Sequence, residues 1–361
     1  MKQTDEKYTG NLKTYEGRIA QKKAVLLAIG ILLIVAAVFA IMTGSIRLSV
    51  QDVMETLAGR GSSANEVVVF KIRLPRVLAA VLVGSILAVC GTVMQCVLQN
   101  PLASASTLGV SQGAAFGAAV GILIFGGGTL SRAAAVPVQI DNPYIITLCA
   151  FIFGSMTAFV VLGLSRMRRT IGAGGLVLAG TAISSLFSAG SALLQYFADD
   201  TTLGAVIFWT FGNLGGATWT EIAILTVVFL GVLVFFMINR WNYNAMRSGI
   251  DTAKSLGVNT KALMTASMIV SSLAAAVTVA FVGIVGFLGL IAPHMMRKFV
   301  GDDYRFLVPA SALAGAFILI AADTFGRTII APVILPVGAV TSFLGAPLFL
   351  AVLVRGAGRN D

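Results

Sequence analysis

The chain has 361 residues, of which 57% are hydrophobic and only 11% are charged, and its formal net charge is +10. Soluble domains carry about 25% charged residues, so this composition excludes an ordinary water-soluble protein. Apolar runs of about 20 residues recur, which is the length that an α-helix needs to cross a bilayer. Because these runs do not alternate with a period of two, the sequence predicts an all-α polytopic membrane protein.

The apolar runs, taken in chain order, predict about ten transmembrane helices. A polar segment, residues 1–23, comes first and is interpreted as a cytoplasmic tail, because the apolar run after it is too long for a signal peptide. The transmembrane domain covers residues 24–355, and residues 356–361 form a C-terminal tail. The predicted spans are residues 24–43, 77–98, 112–126, 144–164, 173–197, 219–239, 262–282, 284–297, 306–323 and 336–354.

The distribution of basic residues predicts the orientation of the chain. With the N-terminus inside and the spans alternating, 18 of the 25 Lys and Arg residues fall in inner segments and seven in outer ones. Cytoplasmic loops of membrane proteins carry such an excess. We therefore expect both termini in the cytoplasm, and we attribute the positive charge to topology and not to a nucleic-acid partner.

A polar stripe follows one face of the span at 173–197. Its members lie at i, i+3, i+7, i+10 and i+14 and are Thr181, Ser184, Ser188, Ser191 and Gln195. Two interpretations stay open: hydroxyls bonded to carbonyls of their own helix, or the lining of a watery pathway. Small residues open this helix and predict part of a cytoplasmic gate; they are Gly172, Ala173 and Gly174.

Small residues at three- or four-residue spacing predict close helix packing in two further spans. They are Gly113, Gly117 and Gly121 in one span and Gly84, Ala88 and Gly91 in the other. The three cysteines, Cys90, Cys96 and Cys149, lie in apolar runs and are interpreted as small buried residues.

Few ionisable residues fall inside the spans, and each is a candidate functional group. His294 has no Cys, Asp or Glu partner at ligand spacing, so a structural role is favoured over a metal site. Asp323 and Arg327 are four residues apart, which allows a local ion pair. Alternatively, Arg327 joins Arg73 and Arg76 in an outer basic patch that docks an acidic partner surface.

The inner connection at 241–261 ends with the sequence IDTAKSLGVNTK and predicts a short helix with a turn at Gly257. A helix presented to the cytoplasm suits an energising partner, although a solvated loop without a partner is the alternative. The chain contains no Walker A motif, so an ATPase would have to be another subunit.

Several motifs, in order and at matching spacing, resemble the FecCD-type permeases. They are RLPR (73–76), GSILAVCGTVMQ (84–95), NPLA (100–103), LGVSQGA (108–114), VLAGTAIS (177–184), GFLGLIAPHMMR (286–297), ADTFGR (322–327) and LPVGAVTSFLGAPLF (335–349). These permeases are the membrane subunits of binding-protein-dependent ABC importers for iron–siderophores, haem and cobalamin. One departure is Ala105, where the family often has proline.

The resemblance implies ten helices per subunit and a pathway between two subunits, bordered by the fifth and tenth spans. It implies that Arg73, Arg76 and Arg327 pair with acidic residues of the binding protein. It also implies that the inner connection contacts the ATPase through Asp251, Ala253, Ser255, Leu256, Gly257 and Val258.

The expected function is thus that of an ABC importer permease of the bacterial inner membrane, driven by ATP through alternating access and taking ferric siderophores. Haem or cobalamin is the alternative substrate. An ion-coupled transporter is disfavoured because Glu221 and Asp323 are the only acidic residues within the predicted spans.

No enzymatic activity, metal or cofactor is expected in this chain, since ATP and Mg²⁺ belong to the ATPase. The expected partners are an ATPase dimer, a substrate-binding lipoprotein or periplasmic protein, a second permease copy or homologue, and membrane lipid.

Overall fold

A computed structural model describes residues 2–44, 48–126, 129–130, 138–139, 143–167, 173–331 and 333–357. The described residues form fifteen α-helices: α1 Lys2–Met42, α2 Val50–Leu57, α3 Ser63–Glu66, α4 Leu74–Val97, α5 Val110–Leu123, α6 Pro143–Met167, α7 Ala173–Tyr196, α8 Asp200–Thr210, α9 Trp219–Ile238, α10 Arg240–Arg247, α11 Ile250–Ser255, α12 Thr260–Val282, α13 Leu288–Val300, α14 Tyr304–Thr328 and α15 Val337–Ala357. A π-helical segment, Val67–Arg73, joins α3 to α4, and a 3₁₀ turn, Ser106–Leu108, precedes α5. Two short strands, β1 Thr129–Leu130 and β2 Val138–Gln139, pair antiparallel.

The prediction of a helical membrane protein is confirmed. Within the described ranges, seven helices are long and apolar enough to cross a membrane, and α5 and α15 contain shorter apolar helices. Each of the ten predicted spans overlaps one helix, and the span at 284–297 corresponds to the 13-residue α13. The count of ten spans and the cytoplasmic location of both termini stay predictions.

Helix α4 lies at the centre of the bundle and contacts α9, α12, α13 and α14. Two glycines allow its backbone to approach its neighbours closely. A Cβ at Gly84 would lie 2.4 Å from the carbonyl oxygen of Gly315 in α14, and a Cβ at Gly91 would lie 1.9 Å from that of Gly289 in α13. Since no side chain fits between these backbones, the predicted packing role of the small residues is confirmed.

Helix α5 packs in the same way against α6. A Cβ at Gly117 would lie 2.3 Å from the carbonyl oxygen of Cys149. Helix α7 then packs on α5 and on the 3₁₀ turn, where Gly180 lies against the backbone of Thr107 and Leu108. The remaining surface of α7 is open, since only 11% of the residues in its most apolar stretch are buried.

The chain is not helical between α12 and α13, although the sequence predicted a span that begins at residue 284. Gly283 and Phe287 have φ angles of +81° and +64°, which interrupt a right-handed helix. The neighbouring carbonyl of Val282 accepts a hydrogen bond from the backbone N–H of Asn213 at 2.8 Å. Pairing with this distant loop was not visible as local periodicity.

Several helices outside the predicted spans were not expected from the sequence. Helix α1 continues back to Lys2, through the segment that was interpreted as a tail. Helix α2 begins with a capping box, in which the Ser49 hydroxyl accepts from the Asp52 backbone and the Asp52 carboxylate accepts from the Ser49 backbone. Caps of this kind satisfy backbone groups that would otherwise lack a partner at a helix start.

Candidate functional site

The outer arginine cluster consists of Arg73, Arg76, Asp323 and Arg327. The Arg76 guanidinium donates to both carboxylate oxygens of Asp323, with Nη2–Oδ1 at 2.8 Å and Nε–Oδ2 at 3.1 Å. The Arg327 Nε lies 3.0 Å from Oδ2 of the same carboxylate. Asp323 therefore joins the start of α4 to the end of α14.

The last turn of α1 is the second partner of this cluster. Arg73 Nη1 donates to two carbonyls at 2.6 and 3.0 Å, and Arg327 donates to two more at 2.8 and 3.1 Å. The acceptors are the four consecutive carbonyls of residues 40–43. A helix ends with four carbonyls that lack an intrahelical partner, and positive groups are favoured there because the helix dipole places partial negative charge at this end.

The cluster is buried in the isolated chain. The exposed fraction is 5% for Arg73, 8% for Arg76 and Arg327, and 4% for Asp323. The local ion pair of Asp323 with Arg327, which the sequence left as an alternative, is present. Sequence spacing could not reveal that Arg76 shares the same carboxylate across 247 positions. The docking role of the three arginines stays a prediction.

The polar stripe of α7 follows the edge between its packed face and its open face. Thr181 and Ser188 are exposed, and the other members, Ser184, Ser191 and Gln195, are half-buried. Three of its hydroxyls bond to carbonyls of their own helix at 2.8–2.9 Å, namely those of Thr181, Ser184 and Ser191. Such local bonds satisfy the hydroxyls without removing them from a water-facing surface, so pathway lining stays a prediction.

Cysteine accessibility tests the pathway assignment. In a background without the three native cysteines, cysteines at Ser184, Ser188 and Ser191 should react with a water-soluble thiol reagent in at least one transport state, fastest at Ser188. A cysteine at Leu186 is the control, since Leu186 is 69% exposed in the chain but lies outside the stripe. We expect the Ser188 position to react about tenfold faster, because thiolates form in water. Three inert positions would contradict the assignment.

The predicted gate lies at the start of α7. Gly172 lies outside the described residues, and the structure describes the backbone of Ala173 but not its side chain. Gly174 has open space around it, with no atom within 4 Å of a Cβ placed there. The gate stays a prediction.

The inner connection forms two short helices, α10 and α11, and a turn at Gly257, whose φ is +84°. The predicted short helix and turn are thus confirmed. Asp251, Ser255, Leu256 and Gly257 are exposed, Val258 is half-buried, and Ala253 is buried. Leu256 is 68% exposed, which makes it an apolar side chain at the tip of the connection. The pKa of Asp251 is lowered by its hydrogen bond with Lys254.

Helix α10 fastens this connection to the bundle. Tyr243 is fully buried, and its hydroxyl lies 2.8 Å from that of Ser267 in α12. Gln99, after α4, donates to the carbonyl of Met246 at 3.0 Å. Asn244 donates to Asp303, at the start of α14, at 3.0 Å. Helix α10, which directly precedes α11, is therefore bonded to three parts of the bundle.

His294 lies in α13, at the end of the bundle that the sequence predicts to be cytoplasmic. It lines a cavity of about 350 Å³ with Arg247, Arg297 and Asp302. Asp302 pairs with both arginines, at 2.9 Å from Arg247 and 3.3 Å from Arg297. In the part of the chain that the structure describes, no three His, Cys, Asp or Glu side chains are grouped for a metal ion.

The bundle of long apolar helices identifies the class as a polytopic membrane protein. The sequence profile of the FecCD transport family matches residues 32–355, and the chain belongs to this family. It is accordingly the permease subunit of an ABC importer and a multi-pass protein of the cytoplasmic membrane, and ATP hydrolysis belongs to a separate subunit. The predicted resemblance is confirmed.

Relatives match along almost the whole chain. A protein of Methanocaldococcus jannaschii that is named as an ABC transporter permease is 49% identical and covers 94% of this chain and 97% of its own. The hemin transport system permease of Yersinia pestis is 35% identical, with 94% and 97% covered. Permeases named for Fe(3+)-citrate import in Bacillus subtilis and vitamin B12 import in Salmonella arizonae are 34% and 33% identical.

A solved structure matches in fold as well as in sequence. It is described as an inward-facing conformation of a metal-chelate type ABC transporter. The TM-score is 0.80 at 29% identity, and the match covers 92% of this chain and 99% of the other. The fold of this chain is therefore that of an ABC transporter permease.

Proposed function

We propose that this permease imports ferric siderophores by ATP-driven alternating access. The observation that carries the proposal is the match to a metal-chelate type ABC transporter over 92% of the chain. Within that class, the relative named for Fe(3+)-citrate import favours ferric iron held by a small organic ligand. Haem and cobalamin are the alternatives, since relatives of similar identity carry those names.

The chemistry of the proposed pathway agrees with a large polar cargo. Hydroxyl groups and small residues along α7 offer water-like contacts and no charged side chain in the stripe. Such a surface lets a chelate pass without holding it. Selection of the chelate then belongs to a separate binding protein, which we expect to be a lipoprotein or a periplasmic protein.

The proposed assembly places two permease subunits side by side with an ATPase dimer beneath them. The open face of α7 favours contact with a second permease, which is an identical copy or a homologue. Only 11% of the residues in the most apolar stretch of α7 are buried within the chain. The ATPase dimer would contact α11 and the turn at Gly257. In this assembly the ATPase subunits bind ATP and Mg²⁺, and this chain binds no cofactor.

An ion-coupled mechanism is disfavoured by the surroundings of the two acidic residues in the predicted spans. Glu221 accepts from the backbone N–H of Thr218 in the capping box of α9. Asp323 is held by two arginines. Ion-coupled transporters need intramembrane sites that bind and release the coupling ion, and both carboxylates already have structural partners.

Substrate uptake tests the proposal directly. Cells that lack their other iron, haem and cobalamin importers would carry this permease with its ATPase and binding protein. We expect uptake of radioactive iron supplied as a ferric siderophore, and no rescue by the permease of growth that depends on haem or cobalamin. Uptake restricted to haem or cobalamin would contradict the siderophore assignment and leave the importer class intact.

The coupling assignment predicts a loss of ATPase contact when the exposed tip of the inner connection becomes charged. Leu256→Glu should abolish uptake and lower co-purification of the ATPase about tenfold, since a buried apolar contact becomes a buried charge. Met54→Glu is a matched control, because Met54 is 62% exposed on α2 at the predicted outer side. Equal ATPase recovery with both variants would refute the assignment. Leu256 is a better target than Gly257, whose positive φ disfavours any side chain.

A further inference from the structure

We propose that docking at the outer arginine cluster is an exchange, in which acidic side chains of the binding protein displace the last-turn carbonyls of α1 from Arg73 and Arg327. The inference rests on the proposed docking role of these arginines. It adds that docking releases the end of α1, so that the first membrane helix reports the arrival of the binding protein.

Burial is the first reason. The Arg73 and Arg327 side chains are 5% and 8% exposed, and their guanidinium groups hold the carbonyls of residues 40–43. Gly44 lies directly against Arg73, since a Cβ there would be 3.0 Å from Arg73 Nη2. A partner's carboxylate therefore cannot reach either guanidinium group unless the groups that bury them move.

Relative bond strength is the second reason. A carboxylate is a better acceptor than a carbonyl for an ionised guanidinium group, since it carries a full charge and can accept two parallel hydrogen bonds from one arginine. The three arginines and Asp323 carry a formal charge of +2, and the end of α1 supplies only about half a negative charge. A carboxylate supplies a full one, so an incoming acidic side chain has the electrostatic advantage over the carbonyls.

The asymmetry of the cluster decides which contacts break. Asp323 is a charged partner of Arg76 and Arg327, so an incoming carboxylate gains little by replacing it. The carbonyls of α1 are the weaker partners. The exchange thus frees α1 while α4 and α14 stay joined through Asp323.

The position of α1 permits this release. Only 11% of the residues in the most apolar stretch of α1 are buried within the chain, and α1 packs mainly along α14. The arginines provide side-chain contacts at its outer end. Loss of four hydrogen bonds there would fray the last turn without disturbing the core around α4.

Hydrogen exchange tests the inference. The permease and its ATPase would be reconstituted in nanodiscs, with and without the binding protein whose deletion abolishes uptake through this permease. Amide exchange of residues 37–44 should rise about threefold or more when the binding protein docks, since frayed turns lose protection. Residues 276–282, at the same predicted end of α12, serve as the internal reference and should not change.

Two variants calibrate the measurement. Arg327→Gln should raise exchange at residues 37–44 without any binding protein, because two of the four carbonyl contacts are lost. Lys71→Gln is the control, because Lys71 is an exposed basic residue two positions before Arg73, and it should leave exchange unchanged.

Docking measured in the same samples separates the outcomes. Docking without a rise at residues 37–44 overturns the exchange and leaves the docking role standing. Unimpaired docking to the Arg73→Glu variant overturns the docking role itself.

Discussion

Replacing Asp323 by Asn is expected to lower the free energy of unfolding of the permease by about 3 kcal/mol, because it removes the charged partner of two buried guanidinium groups. The Asp323 side chain is 3% exposed, and both arginines that it contacts are less than 10% exposed. An uncompensated charge in such surroundings cannot be screened by water. Thermal unfolding of the detergent-solubilised protein, followed by fluorescence, measures the effect.

The inner side of the chain offers a matched control for this variant. Asp302 also joins two arginines, Arg247 and Arg297, but its side chain is 36% exposed. Exposed ion pairs contribute about 1 kcal/mol or less. Asp302→Asn should therefore shift the midpoint far less than Asp323→Asn. Equal shifts would mean that burial of the outer cluster is not what makes Asp323 important.

Gly91→Ala should prevent assembly of the bundle, although it adds only one methyl group. The new Cβ would lie 1.9 Å from the carbonyl oxygen of Gly289 and 2.4 Å from its Cα. Both are backbone atoms, so no side-chain rotation relieves the overlap, and α4 and α13 must move apart. We expect a loss of folded protein in fluorescence-detected size-exclusion chromatography.

A second glycine shows what the same change does where space is available. Gly231 lies in α9 and has no atom within 4 Å of a Cβ. Alanine is favoured over glycine in a helix by about 1 kcal/mol, so Gly231→Ala should give normal or slightly higher yields. A folded, monodisperse Gly91→Ala protein would show that α4 and α13 are not in backbone contact.

The helical class and the positions of the long helices could be predicted from the sequence because lipid leaves the chain few choices. Continuous apolar runs in a bilayer have to form helices. The small residues at positions 84, 91 and 117 were predictable as packing contacts, because small residues let helices in lipid approach closely. Their partners, such as Gly315 and Gly289, could not be assigned, since no local pattern states which helices meet.

The members of the outer arginine cluster could be predicted from the sequence, but their partners could not. Arg73, Arg76 and Arg327 were grouped correctly as one patch, yet they were expected to face outward. Their partners include backbone carbonyls of α1, and a carbonyl has no sequence signature. The partnership of Arg76 with Asp323 likewise depends on how α4 and α14 pack. An acidic residue within a membrane span needs a partner, which was the one available signal.

The irregular segment before α13 could not be predicted either, because tertiary contacts determine it. Positive φ at Phe287 is unusual for a bulky side chain, and no periodicity indicates it. The loop after α8 is held here by Asn213, whose backbone N–H bonds to Val282. Tertiary contacts therefore set the helix boundary that the apolar pattern placed four residues too early.

Measuring which energy source drives uptake distinguishes an ABC importer from an ion-coupled transporter. Proteoliposomes would contain the permease with its ATPase, with the binding protein and a radioactive ferric siderophore on the side that the outer cluster faces. We expect uptake that requires ATP on the ATPase side, persists when ionophores collapse all ion gradients, and stops when the binding protein is omitted. Uptake that needs an ion gradient and proceeds without ATP would contradict the importer mechanism.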